Sequence, residues 1–303
     1  MKSRARTLPA ALRPGDRIGV VAMASAPSAA ALAGGVAWLE AAGFRVSTAG
    51  PRAERGAYTA GTDEERAAAI HALVERGARA LVAARGGYGV MRLLPLLDWE
   101  RLAAWGGWVV GFSDVTALHA ALATRSPVAS LHGPLAVTLR RHPPSAALLV
   151  DWLSGRAPRR LFEFSPDRIV RPGKARGIAV GGNLSLLAAL VGTPWEPEYD
   201  DAVLFLEDVN EPGYSVDRLL TQLRLSSRLA RVRAVVVGRM MRCGLGETGW
   251  RTRWRELLAE VAPDAAVIVE GLPFGHGVAN VPVPLGVEVE VDAARGTVSW
   301  GGR

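Results

Sequence analysis

The feature that most constrains this chain is a repeated alternation of short apolar runs with segments of helical spacing. In the first third the runs are "RIGVVAM" (17–23), "FRVSTAG" (44–50), "ARALVAA" (78–84) and "WVVGF" (108–112). Strands alternating with helices build a mostly parallel sheet covered on both faces, with ligands collecting at the carboxyl ends of the strands. The helix before the third run is the most legible: Thr62 followed by Glu65 matches a capping box, Ala67, Ile70, Leu73 and Val74 trace an apolar face, and Gly77 marks a stop.

With 303 residues, two domains are the natural division. The stretch from about 140 to 175, with "RRHPPS", "SGRAPRR" and "VRPGKARG", is rich in Pro, Gly and Arg and reads as a connection. This gives an N-terminal domain over 1–150, a linker over 151–175 and a C-terminal domain over 176–303. The second half resumes the alternation with "AVLFLEDV" (202–209), a helix over 215–230 and "RAVVVGRM", and closes on a hairpin pattern, "GVEVEVDAARGTVSW".

The formal charge of +7 is spread along the chain, with small clusters at Arg140 and Arg141 and at Arg159 and Arg160. No aromatic-interleaved or recognition-helix pattern accompanies it, so no nucleic-acid partner is expected. Cys243 is the only cysteine, which excludes an intrachain disulfide and a cysteine-built metal site and fits a reducing compartment; "VVVGRMMRCG" reads as a packed thiol. Lys2, Arg4 and Arg6 before "IGVVAMASA" imitate a signal peptide, but Arg13, Asp16 and Arg17 interrupt it and the apolar core suits a first strand. No run reaches the roughly 20 apolar residues of a membrane span. A cytoplasmic protein with no membrane partner, metal or cofactor is expected.

Chemistry points first to "VVGFSDVTAL". Ser113 stands where an apolar strand gives way to a helix, as in a nucleophile elbow, and the N–H of Asp114 points toward the helix start where an oxyanion could be held. The alternative is a simple helix cap, and the full G-x-S-x-G pattern is absent because the fifth residue is Val115. A serine nucleophile needs a base and a carboxylate. His71 and His119 lie in helical segments and His142 in the Pro-rich stretch; His132 in "SLHGPLA" suits either a residue behind the cleft or a core histidine. His276 in "LPFGHG" is presented by flanking glycines, and Glu207 ends the apolar strand of "LFLED", with Asp208 and Glu211 as competitors. The loops "ARGGYGVMRLLPLLD" and "GGNLSLL" allow close backbone approach to a ligand, but neither G-x-G-x-x-G nor a Walker pattern is present.

Taken together, "RGGYGVMRLLPLLD", "GFSDVTALHAAL", "LHGP", "GGNLSLLAALVGTPW", "LFLEDVNEPGYSVDRLLTQL" and "PFGHG" resemble the LD-carboxypeptidase family of serine peptidases over nearly the whole chain. The resemblance implies two α/β domains, a flavodoxin-like parallel sheet followed by a swivelling β/α domain, and a homodimer. It implies Ser113 as nucleophile, Glu207 as orienting carboxylate and His276 as general base. Asp114 and Gly87 would supply the oxyanion hole, with Arg85, Tyr88 and Asn183 as substrate contacts. The implied activity is release of the C-terminal D-alanine from murein tetrapeptides during peptidoglycan recycling. A microcin C immunity-type peptidase acting on aminoacyl-nucleotides is the alternative within the family, and a basic α/β binding protein without activity the alternative outside it. One departure is visible: family members often carry proline and serine soon after the first strand, where this chain reads "VAMASAPSAA".

Overall fold

The computed structural model describes residues 5–51, 53–55 and 58–301; Lys2 and Arg4 of the signal-like start lie outside them. Two sheets organise the chain. The first has six strands in the order Val283–Leu285, Ser130–His132, Trp108–Gly111, Ala80–Ala83, Arg17–Val21 and Arg45–Ala49. Five run parallel, and counted along the chain they follow the 2-1-3-4-5 order of a flavodoxin-like sheet. Buried on both faces, these strands read as unbroken apolar runs: Trp108–Gly111 and Ala80–Ala83 have no exposed position. In such a sheet the chain reverses its winding between the first and third strands, and the loops leaving Val21 and Ala83 meet at that crevice.

The second sheet has eight strands: Arg160–Glu163, Thr297–Trp300, Glu288–Asp292, Lys174–Asn183, Ala202–Val209, Ala234–Met241, Val267–Val269 and Ile169–Arg171. Its middle is parallel and its flanks antiparallel, and the expected closing hairpin is present, with Val289 opposite Trp300 and Asp292 opposite Thr297.

Three features depart from the expected division at 150 and 175. The helix Pro143–Leu153 runs through the first boundary. Within the stretch read as a linker, Arg160–Glu163 and Ile169–Arg171 are the two outermost strands of the second sheet. Charge and proline are what edge strands carry to resist further pairing, so a composition that suggests a connection belongs here to sheet margins. Finally, Val283–Leu285 returns to the first sheet and pairs antiparallel with Ser130–His132.

Local signals hold where they rest on capping chemistry. Thr62 Oγ1 accepts from the Glu65 N–H at 3.1 Å and Glu65 Oε2 accepts from the Thr62 N–H at 2.7 Å, starting the helix Asp63–Glu75. The 3₁₀ turn and the helix after Ser113 bury Val115, Leu118 and Leu122 as the spacing requires. Cys243 is buried, and burial pushes its thiol up to about 11, the signature of a packed rather than reactive sulfur. Among the described residues no helix is long and apolar enough to cross a membrane.

Candidate active site

Ser113 follows the strand Trp108–Gly111 by two residues and has φ +64°, a left-handed conformation that L-residues avoid. Holding a non-glycine residue there costs roughly 1–3 kcal/mol, a strain that surrounding structure must impose. The turn lifts the serine above the sheet edge and starts a 3₁₀ turn, Ser113–Val115, that runs directly into the helix Thr116–Arg125. Ser113 is the partly exposed residue of the turn, between buried Phe112 and Asp114.

The glycine loop from the neighbouring strand closes over it. A methyl group on Gly86 would stand 3.2 Å from Ser113 Oγ, which measures how near this backbone comes to the hydroxyl. Gly87 is at φ +118°, and a Cβ there would fall 2.1 Å from Ser25 Oγ. Ser25 in turn fixes the loop: its N–H donates to Gly86 O at 3.3 Å and its hydroxyl accepts from the Tyr88 N–H at 3.3 Å. Ser25, in the loop after the first strand, thus braces the glycine loop. Gly87→Ala is expected to displace that loop; if Gly87 supplies an oxyanion donor, as the resemblance implies, turnover should fall about 10²- to 10³-fold, and steady-state kinetics beside a melting curve separates this from simple unfolding.

Asp114 contributes a second brace. Its buried Oδ2 accepts from the Val90 N–H at 2.8 Å, tying the turn that bears Ser113 to the helix start that follows the glycine loop. Burial raises its carboxyl to about 6, against the lowering effects of that N–H and of buried Arg66. Because the folded value lies above the ordinary 3.8, Asp114 stabilises fully below that ordinary value and loses the contribution as pH rises through about 6. The stability of Asp114→Asn relative to wild type should therefore climb by about 2–3 kcal/mol between pH 4 and pH 7. Urea unfolding of both proteins across that range checks it; a flat difference would contradict it.

Glu207 and His276 approach from the second sheet. Glu207 lies near the end of the strand Ala202–Val209, fully buried. Its Oε2 accepts from the His276 N–H at 3.0 Å and stands 2.6 Å from His276 Nδ1. Burial alone would push this carboxyl up, but the hydrogen bond and charges of His276, with His132 nearby, outweigh it and hold the group below its ordinary value. An ionised carboxylate that close makes Nδ1 the protonated nitrogen and leaves Nε2 as the basic one. Gly275, at φ +85°, lets the chain press against the acid: a Cβ there would fall 2.5 Å from Glu207 Oε2. The His276 ring packs against Phe112, the residue before Ser113, with centroids 4.8 Å apart.

The two sheets are joined beside this point. The Asn183 N–H donates to Thr116 Oγ1 at 2.9 Å, linking the second sheet to the helix after Ser113. The Asn183 side chain caps the helix Leu184–Ala189 and donates to Asp208 Oδ1 at 2.8 Å, so its polar atoms are engaged within the protein. Asp208 also accepts from the Ser185 hydroxyl. Of the other expected substrate contacts, Arg85 is exposed and donates to Ala26 O at 2.7 Å, and Tyr88 is half-exposed with its ring edge-on to Tyr58.

The remaining histidines separate clearly. His71 accepts from the Asp98 N–H, and His142 caps the helix Pro143–Leu153. His119 is buried between Ser130 Oγ and Gly111 O, and burial pushes its imidazole down to about 3. His132 sits fully buried between Phe112 and Phe274, with neither ring nitrogen hydrogen-bonded to a described residue. Buried Arg66, donating to Met23 O beneath the glycine loop, carries no sequence signal, since its helix position looks like any surface arginine.

Residues 18–133 match the family described as LD-carboxypeptidase N-terminal domain, and residues 176–291 match LD-carboxypeptidase C-terminal domain. The chain is 31% identical over 300 residues to the probable murein peptide carboxypeptidase of Bacillus subtilis, covering 95% of this chain and 92% of that protein. It is 30% identical over 297 residues to the murein tetrapeptide carboxypeptidase of Pseudomonas aeruginosa, covering 92% and 94%. Among solved structures it resembles the muramoyltetrapeptide carboxypeptidase of Oxalobacter formigenes with TM-score 0.80 and 26% identity, covering 94% and 97%. It shares its fold with the microcin self-immunity protein MccF in complex with glutamyl sulfamoyl guanosine, with TM-score 0.85 and 23% identity over 99% of each chain. The sequence segments, the two-sheet architecture and the matches over both halves agree, and the chain belongs to the LD-carboxypeptidase family of serine peptidases.

Proposed function

We propose that this protein is an LD-carboxypeptidase that releases the C-terminal D-alanine of murein tetrapeptides, with Ser113, His276 and Glu207 as nucleophile, base and orienting acid. The observation that carries the reading is the buried Glu207–His276 pair, 2.6 Å apart, facing a strained serine turn through Phe112. A buried carboxylate on Nδ1 and a ring at the cleft wall are what a hydrolytic base requires.

In this mechanism His276 Nε2 takes the proton of Ser113 as Oγ attacks the scissile carbonyl, forming the C–O bond. The oxyanion lies between the N–H groups of Asp114 and Gly87, on the side where Gly86 crowds the hydroxyl. Collapse breaks the C–N bond, and imidazolium His276 protonates the departing amine. Water, deprotonated by the same Nε2, then attacks the acyl-serine and frees the shortened peptide.

The substrate class rests on the murein-peptide relatives, each matched over more than nine-tenths of both chains. The aminoacyl-nucleotide reading rests on MccF, at 26% identity. Incubation with L-Ala-γ-D-Glu-meso-diaminopimelate-D-Ala and, separately, with an aminoacyl-adenylate analogue, followed by mass spectrometry, distinguishes them. D-Alanine release from the peptide is expected; cleavage of the adenylate alone would overturn the murein assignment. The proposed setting is the cytoplasm, consistent with the single buried thiol.

A further inference from the structure

A cavity of about 160 Å³ opens beside His276. Its wall includes Phe112, Arg141, His142, Met241, Val278 and Asn280, whereas Gly86, Gly87 and Ser113 do not line it. A space of this size admits a small residue, and it is open to solvent on one side. The floor is fixed: His142 Nδ1 bonds Ser145 Oγ at 2.8 Å, and that oxygen accepts from the Asn280 N–H at 3.1 Å. Met241 and Val278 give it an apolar side that reaches solvent. Arg141 is exposed and, among the described residues, has no ion-pair partner.

Position assigns the cavity a role in the proposed reaction, on which this inference rests. The base that accepts the serine proton must deliver it to the departing nitrogen, so the leaving group lies on the histidine side of the scissile bond. The glycine loop occupies the opposite, oxyanion side. A leaving group on the histidine side enters this cavity, whose far end is the fixed floor of His142, Ser145 and Asn280. An enzyme that removes only the last residue must also read the chain end, whose distinguishing group is a carboxylate. A guanidinium offers that group two parallel N–H donors.

We infer that the cavity beside His276 receives the C-terminal residue of the substrate and that Arg141 binds its terminal carboxylate, which makes Arg141 a specificity residue for single-residue removal. Apolar Val209, Met241 and Val278 face the small side chain, and a longer C-terminal extension meets the floor built from His142, Ser145 and Asn280.

The test compares the free-acid tetrapeptide with its C-terminal carboxamide in wild type, Arg141→Gln and Arg141→Lys. Wild type is expected to prefer the acid by about 10- to 100-fold in kcat/KM, the worth of a hydrogen-bonded charge. Arg141→Gln should bring the acid down to the rate of the amide, chiefly through KM, and Arg141→Lys should restore part of the preference. An active wild type with no preference would overturn carboxylate reading in this cavity. A preference that survives in Arg141→Gln would overturn the role of Arg141. Both results require turnover and so stand apart from failure of the peptidase reading, in which wild type cleaves neither peptide and the inference falls with it.

Discussion

Ser113→Ala is expected to reduce tetrapeptide turnover about 10⁶-fold while leaving peptide affinity within a few-fold, by analogy with loss of the nucleophile in other serine hydrolases. The substitution removes one oxygen at a partly exposed position and keeps the φ +64° backbone, so the turn and the tie from Asp114 to Val90 are undisturbed. Rate and binding should therefore separate cleanly: calorimetry of the variant with uncleaved tetrapeptide reports affinity, and D-alanine release reports rate. A helix-capping role for Ser113 makes the opposite forecast, a small loss of stability and unchanged turnover. Retention of more than about 1% of the wild-type rate would remove Ser113 from the mechanism, since the binding groups that remain supply far less.

The second large effect belongs to Glu207→Gln, with an expected loss of about 10⁴-fold in kcat, the scale seen when an orienting carboxylate becomes an amide. Glu207 is fully buried and Oε2 receives two donors from His276, the backbone N–H and Nδ1. With its oxygen at the Oε2 position an amide can still accept from both donors, so the loop of His276 should keep its place, but it carries no charge to stabilise the imidazolium. Turned the other way, its NH₂ would face the backbone N–H and Nδ1 together and favour the tautomer that leaves no base at Nε2. The expected signature is a fall in kcat with little change in KM. A loss below about ten-fold would assign Glu207 to structure alone, and Asp208, held by Asn183 and Ser185, is too fully engaged to replace it.

Much of the fold was legible because it rests on local chemistry. Thr62 and Glu65 announce a helix start through the hydrogen bonds they make, and Trp108–Gly111 reads as a strand because burial on both faces requires an apolar run. What escaped is what only tertiary structure decides. The edge strands Arg160–Glu163 and Ile169–Arg171 look like a linker since exposed margins use the residues of loops. Nothing in "VPVPLGVEV" says that Val283–Leu285 will cross to the other sheet. At the site, Ser113 stands out as a polar residue just past a strand, His276 as a histidine between glycines, and Glu207 as an acid inside an apolar run. The backbone of Asp114 is legible in the motif, but its side-chain role and that of Ser25 are silent in sequence, because each lies in holding a backbone N–H supplied by a distant loop. Asn183 shows the converse: a conspicuous amide in a glycine loop spends its hydrogen bonds on a helix start and on Asp208.

The central claim is that the Glu207–His276 pair activates Ser113. It is tested most directly by treating wild type and His276→Ala with a fluorophosphonate and mapping the adduct by peptide mass spectrometry. The expected result is a single adduct on Ser113 in wild type that forms at least about 10³-fold more slowly in His276→Ala. An adduct on another residue, or labelling of Ser113 at the same rate in both proteins, would contradict it.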